Sequence, residues 1–191
     1  MRYDVAIIGA GPCGASAAII TGRAQLSTLV VDADKGMTRM ALVHNHLGLL
    51  EISGPDLVER GHEQLQLAGA RFEKTQLASL TKDADGFTLV DDAGRSFEAK
   101  QVILCLGANP ALGKAAGATT TAGVEPYIKE VLVVDGQGRT AIPGLWAAGT
   151  CAGTSVHTIV TAGDGARVAF HLVSELKGHR YADHDALAKP G

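Results

Sequence analysis

At 191 residues the chain has room for one full domain and no second, taking about 150 residues per domain as a guide. Hydrophobic residues make up 46% and charged residues 19%, enough apolar side chain for a sizeable core, which excludes a disordered chain and a coiled coil. A net charge of -3 argues against nucleic acid as a partner, because binding there draws on Lys and Arg neutralising phosphates. Apolar runs such as residues 5–10 and 101–106 fall far short of the ~18 residues that cross a membrane, so no membrane association is expected. Asp4, Gly9 and Gly11 interrupt any apolar leader region, and no secretory signal is expected. Cys13, Cys105 and Cys151 lie 92 and 46 residues apart. That odd, scattered set is neither a disulfide framework nor a C-x-x-C site, and it suits a reducing cytoplasm.

Residues 3–8 form an apolar, β-branched run bounded by glycine, the pattern of a buried strand. Residues 15–25 are small and apolar, suited to a helix packed tightly on a sheet, and residues 28–31 make a second apolar strand that ends at Asp32. Strand, turn, helix and strand in about 30 residues predict a βαβ unit with a right-handed crossover. Residues 36–54 carry little periodicity and read as loop. Pro55 opens a helix to about Ala68, with Leu57, Val58, Leu65 and Leu67 as its apolar stripe. Short strands broken at residues 84–86 and 93–94 predict an antiparallel meander, and residues 101–106 a further buried strand closed by Gly107. Residues 113–123 are small and weakly patterned and read as a linker. Strands are predicted over residues 130–135 and 145–148. A last helix is predicted over residues 157–176, with Ser155 as its cap and Ile159, Ala162, Ala166, Ala169, Phe170 and Val173 recurring at helical steps. The polar tail after Gly178 is expected to fray.

The segment Gly9-Ala10-Gly11-Pro12-Cys13-Gly14 carries the strongest chemical signal. Its first glycine permits a tight turn, its second lets a pyrophosphate approach the backbone, and its third lets helix and strand pack closely. A lone G-x-G-x-x-G says little, but this one follows a predicted strand and opens a predicted helix, whose N-terminus faces the phosphate charge. Asp32, 18 residues beyond Gly14, ends the second strand within reach of a ribose hydroxyl. A dinucleotide site follows, and an NAD-binding domain without flavin is one form of it.

Residues 142–150, Ile-Pro-Gly-Leu-Trp-Ala-Ala-Gly-Thr, resemble the T-x-x-P-x-x-[FY]-A-x-G-D segment of FAD-binding reductases. Together with the glycine fingerprint they make the chain similar to the pyridine nucleotide-disulfide oxidoreductase superfamily, in its thioredoxin reductase branch. Pro55-Asp56-Leu57 after a loop containing Asn45 and Gly48, the strand ending at Gly107, and residues 158–163 extend the likeness over residues 1–178. The chain resembles the small single-domain relatives of thioredoxin reductase. The nicotinamide-binding insertion would be absent after about residue 110 and the redox C-x-x-C is missing.

This resemblance implies a three-layer α/β, FAD/NAD(P)-binding Rossmann-like fold, with a central parallel sheet, helices on one side and a small antiparallel meander on the other. It implies one FAD-binding domain over residues 1–178 and a polar tail over residues 179–191. FAD would be held by Gly9, Gly11, Pro12, Cys13, Gly14, Asp32, Ala33, Asn45, Leu77, Leu106, Gly107, Gly149, Thr150, His157 and Thr158. No catalytic residue is assigned and no metal site is expected. Two positions depart from the family. Thr150 stands where the family's aspartate holds the ribityl chain, replacing a charge-assisted bond by one roughly half as strong, and Leu106 stands where the family has threonine. Cys13 reads as a small buried residue in place of alanine, Cys105 as structural, and Cys151, next to Thr150, as lying near the flavin end, with a reactive thiol as the alternative reading. His44 and His46 read as loop residues. The expected function is a flavin oxidoreductase with an external electron donor and an unknown substrate; a non-catalytic flavin-binding or regulatory module, or partner subunit, is the alternative. A homodimer, a redox partner protein and apolar surface bared around Pro110 and Leu112 complete the expectations.

Overall fold

A computed structural model of the chain describes residues 2–186. Strand β1 (Arg2–Ile8) leads into helix α1 (Pro12–Arg23) and strand β2 (Thr28–Asp32), closing the predicted βαβ unit. The helix starts three residues before the predicted Ala15 because Pro12 occupies its first turn, where a missing N–H costs nothing. Residues 36–54 are more structured than a loop. A 3-10 turn (Met37–Met40) precedes a two-stranded hairpin, β3 (Leu42–Val43) with β4 (Ile52–Ser53). Ser53 then caps helix α2 (Gly54–Leu67), its hydroxyl accepting from the Asp56 N–H at 3.2 Å. The buried stripe of α2 runs through Gly54, Val58, His62 and Leu65; the predicted Leu67 faces out at the last turn, and Leu57 is only half-buried.

Strand β5 (Arg71–Lys74) follows, then the meander of β6 (Leu77–Lys82), β7 (Phe87–Asp91) and β8 (Ser96–Leu104). The stretch read as a linker is built structure: helix α3 (Ala111–Ala115) and strand β9 (Thr120–Ala122), which pairs antiparallel with β10 (Glu130–Leu132). Its small residues reflect close packing, since a β-carbon on Gly113 would meet Leu104 and Leu132 methyls at 2.8–2.9 Å. The strand predicted over residues 130–135 stops at Leu132 for want of a longer partner. Strand β11 (Leu145–Ala147) and helix α4 (Thr158–Lys177) end the fold. Ser155 does not cap α4. His157 holds the cap position without a side-chain bond to the helix, and its Nδ1 lies 2.8 Å from Ser155 Oγ. The buried face of α4 is Thr158, Thr161, Gly165, Val168, Ala169, Leu172 and Val173, so Ile159 of the predicted stripe points outward.

The main sheet runs β5-β2-β1-β8, all parallel, and β8 is its pivot. Beyond β8, residues 96–99 pair antiparallel with β7, and residues 102–104 pair parallel with β11. The meander is therefore continuous with the sheet through β8 rather than a detached layer. Alternation along the strands splits the core. Val5, Ile7, Val30, Ile103 and Trp146 pack on α1, α2 and α4. Ala6, Ile8, Val31, Leu104 and Leu145 pack against the meander's Leu77, Leu80, Phe87 and Leu89. Three layers result, and burying both faces is why the parallel strands read as unbroken apolar runs.

Small residues set how closely α1 approaches its neighbours. A β-carbon on Gly14 would overlap the Gly9 carbonyl oxygen, and one on Gly165 of α4 would overlap the Cys13 carbonyl. The tail does not fray directly after Gly178: Tyr181 N–H donates to Ser174 Oγ at 2.9 Å, and Arg23 reaches Asp183 at 2.5 Å and Asp185 at 2.6 Å. The last residues of that expectation, 187–191, lie outside the described ones. The surface expected to be bare at Pro110 and Leu112 is not: Pro110 is buried and Leu112 packs on the core.

Candidate cofactor cleft

Register places the carboxyl ends of four strands side by side: Ile8 of β1 beside Val31 and Leu104, and Ala147 of β11 beside Leu104. The residues immediately beyond those ends border a cleft of about 950 Å³. Open parallel sheets bind ligands at this edge, where the chain leaves a central strand toward neighbours on opposite sides.

Gly9, Gly11, Pro12 and Cys13 enter from β1, and Asp32 and Ala33 from β2. Leu77 enters from the meander, Leu106 and Gly107 from β8, and Thr150 and Thr158 from beyond β11. Four expected residues do not border the cleft. Gly14 lies behind the loop, against Gly9. Gly149 is buried with φ 74, its N–H donating to Asp164 Oδ2 at 2.7 Å. Asn45 is exposed on the loop between β3 and β4, and His157 is exposed at the start of α4. That loop reaches α4 through His46 instead, whose Nδ1 lies 3.1 Å from Thr158 Oγ1, while His44 pairs with Glu51 at 3.2 Å.

The charges around the cleft are complementary. Helix α1 begins at Gly11 with no side chain capping it and no acid in its first turn, so its N–H groups and dipole remain free for an anion. Lys35 and Arg39 border the same space. In the same cleft, burial raises the Asp32 carboxyl above its usual range, against the opposing pull of the Asp34 N–H and the nearby His62 ring. Asp34, with φ 60, pairs with Lys74 at 2.6 Å and with Arg39; chiefly the Lys74 bond holds its carboxyl below the usual range. A β-carbon at Gly11 would meet nothing nearer than Thr38 Oγ1 at 4.0 Å. An anion-binding helix end, an open glycine and a carboxylate for hydroxyl groups fit a ligand that carries both phosphates and sugars.

Sequence reasoning missed Thr38, Arg39 and Asp34, which lie in a segment without periodicity. It also missed Asp164, whose carboxylate takes Gly149 N–H, Thr154 Oγ1 at 2.9 Å and Arg167 at 2.8 Å, fixing the turn that carries Thr150. Tyr127 also borders the cleft, at φ 67 and with its ring fully exposed. The three cysteines are buried, and Cys13 Sγ lies 3.2 Å from Cys105 Sγ. Burial pushes the Cys151 thiol up to about 12, far from the range of a thiolate nucleophile. Among the described residues no group of three or more His, Cys, Asp or Glu side chains is placed to hold a metal ion, and no helix is long and apolar enough to cross a membrane.

Residues 36–166 match the family model described as pyridine nucleotide-disulphide oxidoreductase. The chain belongs to that family. Within the pyridine nucleotide-disulphide oxidoreductases it is thioredoxin reductase-like. It is 36% identical over 120 residues to the thioredoxin reductase of Peptoclostridium acidaminophilum, covering 60% of this chain and 38% of that protein. It is 35% identical over 109 residues to the thioredoxin reductase of Bacillus subtilis, covering 56% and 34%. The chain thus spans little more than a third of these curated relatives. Among solved structures, an oxidoreductase from Agrobacterium tumefaciens superposes with a TM-score of 0.80 at 16% identity, over 93% of this chain and 99% of that one. A T. acidophilum thioredoxin reductase gives 0.75 at 19% identity, over 92% and 99%. Both share the fold described above.

Proposed function

We propose that this chain is a thioredoxin reductase-like FAD-binding domain, an oxidoreductase component whose electron donor is a separate molecule or protein. One observation carries the reading: Gly11, open on its cleft side, stands at the uncapped start of α1, at the carboxyl edge of the parallel strands. The α1 N-terminus and Gly11 take the pyrophosphate, Asp32 accepts from ribose hydroxyls, and the buried Thr150 hydroxyl meets the ribityl chain. Bound FAD supplies hydride and single-electron chemistry that no side chain of this cleft has.

The domain boundaries proposed are residues 1–178, with no nicotinamide-binding insertion. Between Leu104 and Leu145 the described residues form only α3 and the β9–β10 ribbon, and no second G-x-G-x-x-G follows Gly107. A nicotinamide donor therefore has no preformed seat and loses the positioning that such a seat provides.

The test is twofold. Purified protein is expected to carry or take up one FAD per chain, and anaerobic mixing with NADPH is expected to bleach it slowly or not at all. Rapid bleaching with no added protein would overturn the external-donor reading. Stoichiometric flavin that no reductant or partner can cycle would instead mark a flavin-binding module without catalysis.

A further inference from the structure

Three cysteines scattered over the sequence converge in the fold. Cys13 lies in the first turn of α1 and Cys105 directly follows β8; both border the cleft, and their sulfurs are 3.2 Å apart. Cys151 is fully buried beside them but does not border the cleft. Its Sγ is held by Leu106 N–H at 3.4 Å and by the Leu104 and Ala148 carbonyl oxygens at 3.3 Å each. Both residues of the pair thus border the cleft and the third does not.

We infer that Cys13 and Cys105 form an oxidisable dithiol in the floor of the cleft, closed to a disulfide by a small hydroperoxide, and that this bond shuts the start of α1 to its ligand. The first part stands on the sulfur geometry alone; the second rests on the proposed FAD site. One sulfur, as its thiolate, attacks a peroxide oxygen and breaks the O–O bond, giving a sulfenic acid and one water. The second thiol displaces the sulfenic oxygen as a second water and forms the S–S bond. Two thiols and one hydrogen peroxide thus yield one disulfide and two waters, with two electrons passing from sulfur to oxygen.

A disulfide sets its sulfurs about 2.05 Å apart, so closure brings the two sulfurs about 1 Å nearer, one of them on the first turn of α1, whose N–H groups no side chain caps. The bond to Cys105 and then burial hold the Cys13 thiol well above its usual range, so closure is slow at neutral pH and speeds up as pH rises. A ligand filling the cleft covers both sulfurs and slows it further.

The experiment treats the purified protein with hydrogen peroxide, unfolds it in denaturant with an alkylating agent, and maps tryptic peptides. Lys100, Lys114, Arg139 and Arg167 place the three cysteines on separate peptides. The expected result is one cross-linked species joining the Cys13 and Cys105 peptides, lacking two hydrogens, reversed by dithiothreitol, with Cys151 alkylated. Cys151→Ala keeps the cross-link and Cys105→Ala abolishes it. Full alkylation of Cys13 and Cys105 after peroxide, or a cross-link through Cys151, would overturn the inference without any variant having to fold. For the second part, FAD is titrated into reduced and cross-linked protein, with binding about tenfold weaker expected after cross-linking. Equal affinity in the two forms would refute the shutting of the site. Failure of both forms to bind FAD would refute the cofactor reading and leave the cross-link result standing.

Discussion

A side chain added at Gly11 points into the cleft with Thr38 Oγ1 at 4.0 Å as its nearest neighbour, whereas one added at Gly14 overlaps the Gly9 carbonyl oxygen. The two positions therefore separate binding from folding. Gly11→Val is expected to leave the melting temperature unchanged and abolish flavin uptake; full flavin occupancy in that variant would show the pyrophosphate lies elsewhere. Gly14→Ala forces overpacking against backbone, which costs about 1–3 kcal/mol or more, and its midpoint in urea should fall accordingly. Thr150 offers the opposite test, a gain. A carboxylate bonding a hydroxyl contributes about 1.5–3 kcal/mol against about 1 for a neutral pair, so Thr150→Asp should tighten FAD binding by up to about 30-fold. Weaker binding would mean that the pocket has been rebuilt around threonine. At this scale the fingerprint was legible because each glycine answers to a local demand of one turn. The cysteine pair was not: sulfurs 92 residues apart in sequence meet only because β8 lies beside β1.

Helix α4 and the turn before it act through one carboxylate. Asp164 holds Gly149 N–H, Thr154 and Arg167 together, with its side chain only 12% exposed. Asp164→Ala leaves that N–H without its partner and is expected to cost about 2–3 kcal/mol in urea unfolding while loosening FAD through the displaced Thr150. The segment after β2 gives a pH signature. Lys74, then Arg39 against some burial, depress the Asp34 carboxyl in the folded state. Its contribution to stability is therefore full above the unfolded value of about 3.9 and fades as pH falls through the lower folded value. The gap in melting temperature between wild type and Asp34→Asn should be widest near neutrality and narrow progressively as pH falls below about 4; a gap that does not narrow there would assign the effect to something other than charge. Asparagine suits the test because it tolerates the positive φ of this residue. The buried strands and α2 were readable from apolar runs and from the proline that opens the helix. Helix α3 and strand β9 were not, because their small residues record close approach of distant side chains, which mimics the composition of a linker. The outward Ile159 of α4 shows the same limit, since threonine and glycine take the inner face there.

For the molecule as a whole, several of the apolar side chains left on the surface, Met40, Leu42, Leu47 and Leu50, lie on the segment before α2, and the exposed Tyr127 borders the cleft. Patches of this kind mark association surfaces, and a homodimer of the 19.7 kDa chain is the assembly proposed; light scattering should give twice that mass at micromolar concentration, and a monomer would contradict it. The fold class was readable in advance because a parallel sheet buried on both faces writes itself as uninterrupted apolar runs. The central claim, that the edge beyond β1, β2, β8 and β11 is a FAD site, is tested most directly by titrating flavin-stripped protein with FAD and following the quenching of flavin fluorescence. Saturable binding at one FAD per chain, lost in Gly11→Val with the fold intact, is the expected result, and a wild-type protein that leaves flavin fluorescence unchanged would contradict it.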